Sequence, residues 1–410
     1  MSDDAFFRRA RADVVATLVR RVGTDQLEAV EDAVQGAIET ALRRWPEDGV
    51  PGDRRAWLHQ VAKHRLLGAL RQDGRRRRLL AADAARQPPA PPAEPRAAFP
   101  DEVTDDLLRM LFVCADPALA PSAQLVLALK VVVGFDVRAI AHRLFAREAA
   151  VYKRLSRARA RLRESELDLD AGLEADALRA RRPAVLHVLY VLFSEGHLSA
   201  HPDAAIRREL CDEALRLALL FACHPTLGGP DASALVALML LHRARLDARQ
   251  DAFGALLLLD EQDRSRVDEA KVARGLEWLA ASAYGAAPSR YHAEAGIAAE
   301  HALAPSFAAT RWDRIAAHYA LLERIAPSPL HRVNRALALA EVEGPGAGLE
   351  LLATLDAPVW LVGSHLWSAA LADLHRRAGH PEQAAQHRAR ALADAPSDAV
   401  RSALLRRLGP

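Results

Sequence analysis

The stretch Asp136–Arg163, DVRAIAHRLFAREAAVYKRLSRARARLR, carries two apolar faces at helical spacing with a break between them. Ile140, Ala141 and Leu144 make the first face; Ala150, Val151, Leu155, Ala158 and Leu162 make the second. The spacing predicts a short helix over Val137–Leu144 and a longer one from about Arg147 to Arg163, following the turn Gly134-Phe135. Outward positions of the longer helix are Arg147, Tyr152, Lys153, Ser156, Arg157, Arg159, Arg161 and Arg163. So basic an outer face repels itself unless a polyanion lies against it. Short helix, tight turn and longer basic helix are the outline of a helix-turn-helix, whose second helix lies in the DNA major groove. Early residues of that helix reach base edges and later ones meet phosphates. Arg147, Glu148, Tyr152 and Lys153 are therefore the candidate base contacts, and Arg154, Arg157, Arg159 and Arg161 the candidate backbone contacts, with Ser156 on the same outer face. The plainer alternative is a solvated basic face.

Upstream, Asp105–Ala115 and Ser122–Val133 read as two more helices of the same module. Before them, residues 82–103 are rich in Ala and Pro and include Pro88-Pro89-Ala90-Pro91-Pro92, a composition that favours extended chain and predicts a linker. Residues 5–80 read as helices. Phe6, Val14, Leu18 and Val22 mark one apolar face, and Val30, Val34, Ala37, Ile38, Ala41 and Leu42 another, with Trp45-Pro46 expected to end that second helix. A third helix starts near Arg54 in RRAWLHQVAKHRLLGALRQDGRRRR (Arg54–Arg78). There Arg54, Arg55, Trp57, His59, Lys63 and His64 mix aromatic and basic groups ahead of an arginine run. A ring can stack on an unpaired base while cations hold the phosphates; a Trp at helical spacing equally serves a core.

Downstream, residues 169–410 run helix after helix, with breaks near Gly196–Pro202, Pro225–Pro230, Ala286–Pro288, Pro305, Pro327–Pro329, Gly344–Gly346 and Gly379–Pro381. Trp312, Ile315, Ala316 and Tyr319 match the first-helix spacing of a tetratricopeptide unit, and Gly379, Ala384, Ala391 and Pro396 the second half of one. In Asp260–Arg266, charges follow the apolar run Leu256–Leu259; they suit an ion-pair network between repeats, the favoured reading, or a polar pocket for a partner.

The totals set the frame. The 410 residues are half hydrophobic, dominated by Ala and Leu, which predicts an all-α protein. The net charge is +2, divided as about +7 over residues 1–165 and about −5 over the rest. A polyanion-binding part joined to a part with another task fits this split. The opposite charges would also favour packing of the extension, as an acidic superhelix, against the N-terminal modules. Cys114, Cys211 and Cys223 form no CxxC pair, so neither a disulfide framework nor a zinc site is expected, and a reducing cytoplasm fits. Met1–Thr17 lacks an apolar core of the signal-peptide kind, and the run Ala234–Leu241 is far too short to span a membrane. No HExxH, GxSxG, P-loop or GxGxxG is present, and His292, His301 and the Cys223-His224 pair lack metal-ligand spacing. No enzyme, cofactor or metal is expected.

Residues 1–165 resemble the extracytoplasmic-function sigma factors, minimal members of the sigma-70 family that keep regions two and four joined by a flexible linker. Glu31-Asp32-Ala33-Val34-Gln35 with Ala41-Leu42-Arg43-Arg44-Trp45 resembles the region-two helix that docks on the polymerase clamp; the resemblance implies polymerase contacts for Asp32, Gln35, Glu39 and Trp45. Ala56-Trp57-Leu58 with Val61-Ala62-Lys63 resembles the segment that recognises and melts the −10 element, and Gly134–Leu162 the region-four helix-turn-helix that reads the −35 element. Lys63-His64 stand where the family commonly has Arg-Asn, Gly68 where it has Asp, Phe145 where it has a turn Gly, and Arg147 where it has a capping Ser or Thr. Residues 170–410 are similar to the long tetratricopeptide-like extension of one subgroup, through Tyr190–Gly196, Leu210–Leu217, Ala237–His242, Asp260–Arg266 and Asn334-Arg335-Ala336. The resemblance implies region two at 1–81, the linker at 82–103, region four at 104–168 and a regulatory or activity-supporting extension at 169–410. Implied partners are core RNA polymerase and promoter DNA, with an unidentified protein or ligand at the extension and no membrane. Two rivals are a helix-turn-helix regulator with a helical sensor domain that is not a polymerase subunit, and a repeat adaptor whose N-terminal helices are incidental.

Overall fold

The computed structural model describes residues 3–80, 105–164, 175–199, 206–252, 254–285 and 287–409, with the side chains of 3–5 and 73–80 excepted. The expected linker at 82–103 and the side chains of Arg75–Arg78 lie outside these residues. The protein is all-α: among the described residues the sole β feature is an isolated bridge between Gln250 and Leu256. Two compact units divide the chain, one of residues 1–188 with 224–227, the other of 189–223 with 228–410.

The first unit comprises α1 (Asp3–Val22), a 3-10 turn at Thr24–Gln26, α2 (Leu27–Asp48), α3 (Arg54–Leu80), α4 (Asp106–Cys114), α5 (Pro121–Val131), α6 (Val137–Arg143), α7 (Glu148–Glu164) and the start of α8 (Ala175–His197). Val14, Leu18, Val30, Val34, Ala37 and Ala41 are buried, as the helical period requires. Two expectations fail in α2. It runs past Pro46 to Asp48 and stops at Gly49, whose φ of 87° suits glycine. Leu42, expected in the core, is 57% exposed.

Both modules expected from the sequence fall within this one unit. Arg11 of α1 donates to the carbonyls of Lys130 and Val131, satisfying the C-terminal end of α5. Thr17 and Arg20 of α1 reach Asp106 of α4.

The helix-turn-helix is built by local chemistry. Asp136 caps α6 by accepting from the Ala139 amide at 2.6 Å. At the other end, Ala146 N–H donates to Ala141 C=O and Phe145 N–H to His142 C=O, a Schellman motif. Its left-handed position is filled by Phe145, at φ 48° and 52% exposed. An L side chain there costs on the order of 1 kcal/mol. Phe145→Gly is therefore expected to stabilise the unit by about 1 kcal/mol, read as a higher urea midpoint; a lower midpoint would mean the ring's contacts outweigh the backbone cost.

The second unit starts within α8, continues through α9 (Arg208–Cys223) and centres on α10 (Pro230–Ala244). Residues 232–241 are all buried, the expected fate of a helix apolar on every side. Gly196 lets α8 approach α9, since a Cβ there would lie 2.7 Å from the Cys211 amide nitrogen. After α11 (Glu269–Ala281) and α12 (Arg290–Leu303) come the hairpin α13 (Trp312–Ile325) and α14 (Pro329–Val342), then α15 (Pro345–Ala353), the single turn α16 (Val359–Val362), α17 (His365–Arg377), α18 (Pro381–Ala393) and α19 (Asp398–Leu408). Ile315 and Ala316 are buried with Ala293, Ile297, Leu322 and Ala338, and Trp312 and Tyr319 pack on them. The repeat-like spacing thus corresponds to stacked helical hairpins. Between α10 and α11 lies a segment, Arg245–Asp268, that helical spacing does not set apart; its described residues form 3-10 turns at Leu246–Ala248 and Arg264–Arg266 and the bridge between Gln250 and Leu256. No helix is long and apolar enough to cross a membrane, among the described residues.

Candidate nucleic-acid interface

The α7 helix divides as its sequence requires. Val151, Leu155, Ala158 and Leu162 are buried, and α7 packs through them on α5 and α6. Arg147, Glu148, Tyr152, Lys153, Ser156, Arg157, Arg161 and Arg163 are exposed, Tyr152 by 60%. Arg154 is half-buried. The positions 152, 153, 156, 157 and 161 form one continuous strip, because residues four apart on a helix stack. Lys153 and Arg157 make no ion pair among the described residues. Arg147, standing where the resembled family has a capping Ser or Thr, contributes its backbone carbonyl, which accepts from Ala150 and Val151.

Arg159 departs from expectation and is a correction. Its Nη2 lies 2.5 Å from Glu31 Oε2, and its Nη1 3.8 Å from Glu28. Glu31 also takes Arg11 Nη2 at 2.9 Å, so one buried carboxylate holds two guanidinium groups. Arg163 adds a 3.3 Å pair to Glu28. Arg159 is thus committed to the interior and is withdrawn from the outer strip. Sequence reasoning missed Glu31 and Arg11 as the centre of this network; a lone Glu inside the apolar stripe of α2 was the available signal.

In α2 and α3 the placement is mixed. Asp32, Gln35 and Glu39 are exposed at helical spacing, with Gln35 Nε2 donating to Glu39 at 3.4 Å, and exposed Leu42 extends their stripe. Trp45 does not belong with them, a second correction: it is 7% exposed, stacked on Phe7 at 5.2 Å and edge-on to Trp57 at 5.5 Å. Arg54 covers this aromatic cluster, 4.1 Å from the Phe6 ring centroid and 5.0 Å from that of Trp45. Trp57 is consequently half-buried, and Arg54 is held by rings. Arg55 pairs with Asp13 at 3.0 Å, while Lys63 and His64 are exposed. Burial, then Arg21, Lys63 and Arg55, hold His59 below the usual histidine range, so it is neutral at neutral pH. The result is a surface on α3 where cations outnumber acids beside an aromatic cluster.

The charges of Asp260–Arg266 do not form one network between repeats. Glu261 pairs with Arg406 of α19 at 3.2 Å, whereas Asp263 caps the Ser265 amide at 2.9 Å. Among the described residues no group of three or more His, Cys, Asp or Glu is placed to hold a metal ion.

An all-helical chain with an outward basic helix-turn-helix and stacked hairpins is thus what the sequence builds. Residues 181–283 match the family described as "Family of unknown function (DUF6596)". A Rhizobium meliloti (strain 1021) protein described as "Uncharacterized protein R00370" is 34% identical over 360 residues, covering 84% of this chain and 81% of the relative. The chain belongs to the same family as that protein. No solved structure matches it.

Proposed function

We propose that this protein is an alternative sigma factor that binds core RNA polymerase and directs promoter-specific initiation, in the cytoplasm and without catalytic chemistry of its own. The observation that carries the reading is the exposed strip of α7 at 152, 153, 156, 157 and 161, buried behind and basic in front. In the proposed mechanism that strip holds the −35 duplex, with Arg147, Glu148, Tyr152 and Lys153 at base edges and Arg154, Arg157 and Arg161 at phosphates. Arg54, Arg55, Trp57, His59, Lys63 and His64 serve the opened −10 strand, with Trp57 half-buried beside it. Asp32, Gln35 and Glu39 face the polymerase, joined by Leu42. The helical C-terminal part has a regulatory or supporting role.

A helix-turn-helix regulator that is not a polymerase subunit needs the α7 strip but not the α2 stripe. The two readings part at core polymerase. Co-elution of the full chain with purified core enzyme is expected, and Leu42→Arg, at an exposed site, should weaken it at least tenfold without changing the fold. Failure to co-elute would favour the regulator.

A further inference from the structure

Three arginines of the second unit, Arg245, Arg249 and Arg264, lie in the segment between α10 and α11, and none of them makes an ion pair among the described residues. Buried cations are ordinarily matched by carboxylates. Here only neutral groups hold them. Arg245 Nη2 donates to Gln262 Oε1 at 2.8 Å, Arg249 Nη1 to the His197 carbonyl at 2.6 Å, and Arg264 Nη1 to the His301 carbonyl at 3.0 Å. The nearby acids are turned elsewhere: Asp247 to Arg208, Glu261 to Arg406, Asp263 to the Ser265 amide and Asp268 to Lys271.

Among the described residues, the cluster also holds polar atoms without partners. Arg245 is 7% exposed, and its Nε has no hydrogen-bond partner there. Nor do Nδ1 of His242 or Nδ1 of His301, two half-buried rings. The groups feel one another. Burial, then Arg264 and Arg249, bring Arg245 down to about 9; burial, then Arg245 and its neighbours, bring His242 and His301 each to about 3. At neutral pH both rings are therefore neutral and each offers one N–H donor. Arg249, Arg264, His242 and His301 are half-buried, so the edge of the cluster meets solvent.

We propose that this cluster is a binding site for the phosphate group of a small molecule, held by Arg245, Arg249 and Arg264. Three guanidinium groups with spare N–H donors match the several acceptor oxygens and the double negative charge of a phosphate ester. A monocarboxylate would leave most of the positive charge unmatched. The proposal stands on the second unit alone and is independent of the sigma-factor reading.

Thermal unfolding of the full chain against inorganic phosphate tests it, with sodium chloride at matched ionic strength and succinate as controls. Phosphate should raise the midpoint saturably, and chloride should not. Arg264→Gln, at a half-exposed position, should raise the half-saturating phosphate concentration at least tenfold. Arg245→Met should abolish the response while leaving the phosphate-free midpoint equal to or above that of wild type, since it removes an unmatched buried charge. A purely structural arginine would behave oppositely: a lower midpoint and an intact phosphate response. The proposal is overturned if phosphate and chloride act alike, if Arg264→Gln responds as wild type does, or if succinate saturates at lower concentration than phosphate.

Discussion

Glu31→Ala is expected to destabilise the ionic link between α2 and α7 by about 3 kcal/mol, more than any other single substitution proposed above. The carboxylate is buried and holds Arg11 at 2.9 Å and Arg159 at 2.5 Å. Removing it leaves two guanidinium groups, both mostly out of water, without their anion, and an orphaned buried charge costs roughly 3–5 kcal/mol. The lower end applies because Arg159 keeps some exposure and a second, longer pair to Glu28. Arg11 also braces the last carbonyls of α5, so the loss spreads to the helix-turn-helix support. Amide hydrogen exchange over α2 and α7 should accelerate by about a hundredfold, at 1.4 kcal/mol per tenfold. Glu28→Ala, at a half-exposed site, should change exchange by less than about fivefold. Equal effects from the two substitutions would show that Glu31 is not the centre of the network.

Reversal of the outer charges of α7, Lys153→Glu with Arg157→Glu, is expected to lower DNA affinity about a hundredfold at moderate salt. Both side chains are exposed and make no ion pair among the described residues, so thermal stability should stay within about 0.5 kcal/mol of wild type. The salt dependence separates a lost contact from a general change in charge. Each phosphate contact contributes about 0.9 to the slope of log K against log salt, so losing that of Arg157 should flatten it by about 0.9. An unchanged slope would mean that Arg157 does not touch the backbone. Arg159→Ala should flatten the slope by less than Arg157→Ala, since Glu31 and Glu28 already occupy its guanidinium.

The helix-turn-helix was legible because its two periodicities are clean: Ile140, Val151, Leu155 and Leu162, predicted inward, are buried. The same rule misplaced Leu42, and the family resemblance misplaced Trp45. An apolar residue at the right spacing can sit at the margin of a stripe, as Leu42 does, and a residue assigned to a partner can be claimed by rings distant in sequence, as Phe6 and Phe7 claim Trp45. Long-range polar contacts were illegible for a related reason. Helical spacing puts Arg159, four residues after Leu155, at the flank of the buried face and Arg157 opposite it, but the partner Glu31 lies 128 residues earlier, beyond the reach of any local signal. The arginines at 245, 249 and 264 were hidden likewise, because their lack of carboxylate partners is a property of the fold. His242, Arg245 and Arg249 at successive helical spacings offered a hint of a shared face. The Schellman turn shows the converse: the expected glycine position was correctly located, although Phe145 occupies it.

Run-off transcription tests the central reading most directly. Purified core RNA polymerase, genomic promoter fragments and the full-length protein are combined, with the Lys153→Glu, Arg157→Glu double variant in parallel. The sigma-factor reading predicts discrete transcripts with wild-type protein on core enzyme alone, and their loss with the double variant. If core enzyme starts no discrete transcript on any fragment, while the protein still binds DNA through α7, the chain is a DNA-binding regulator and not a polymerase subunit.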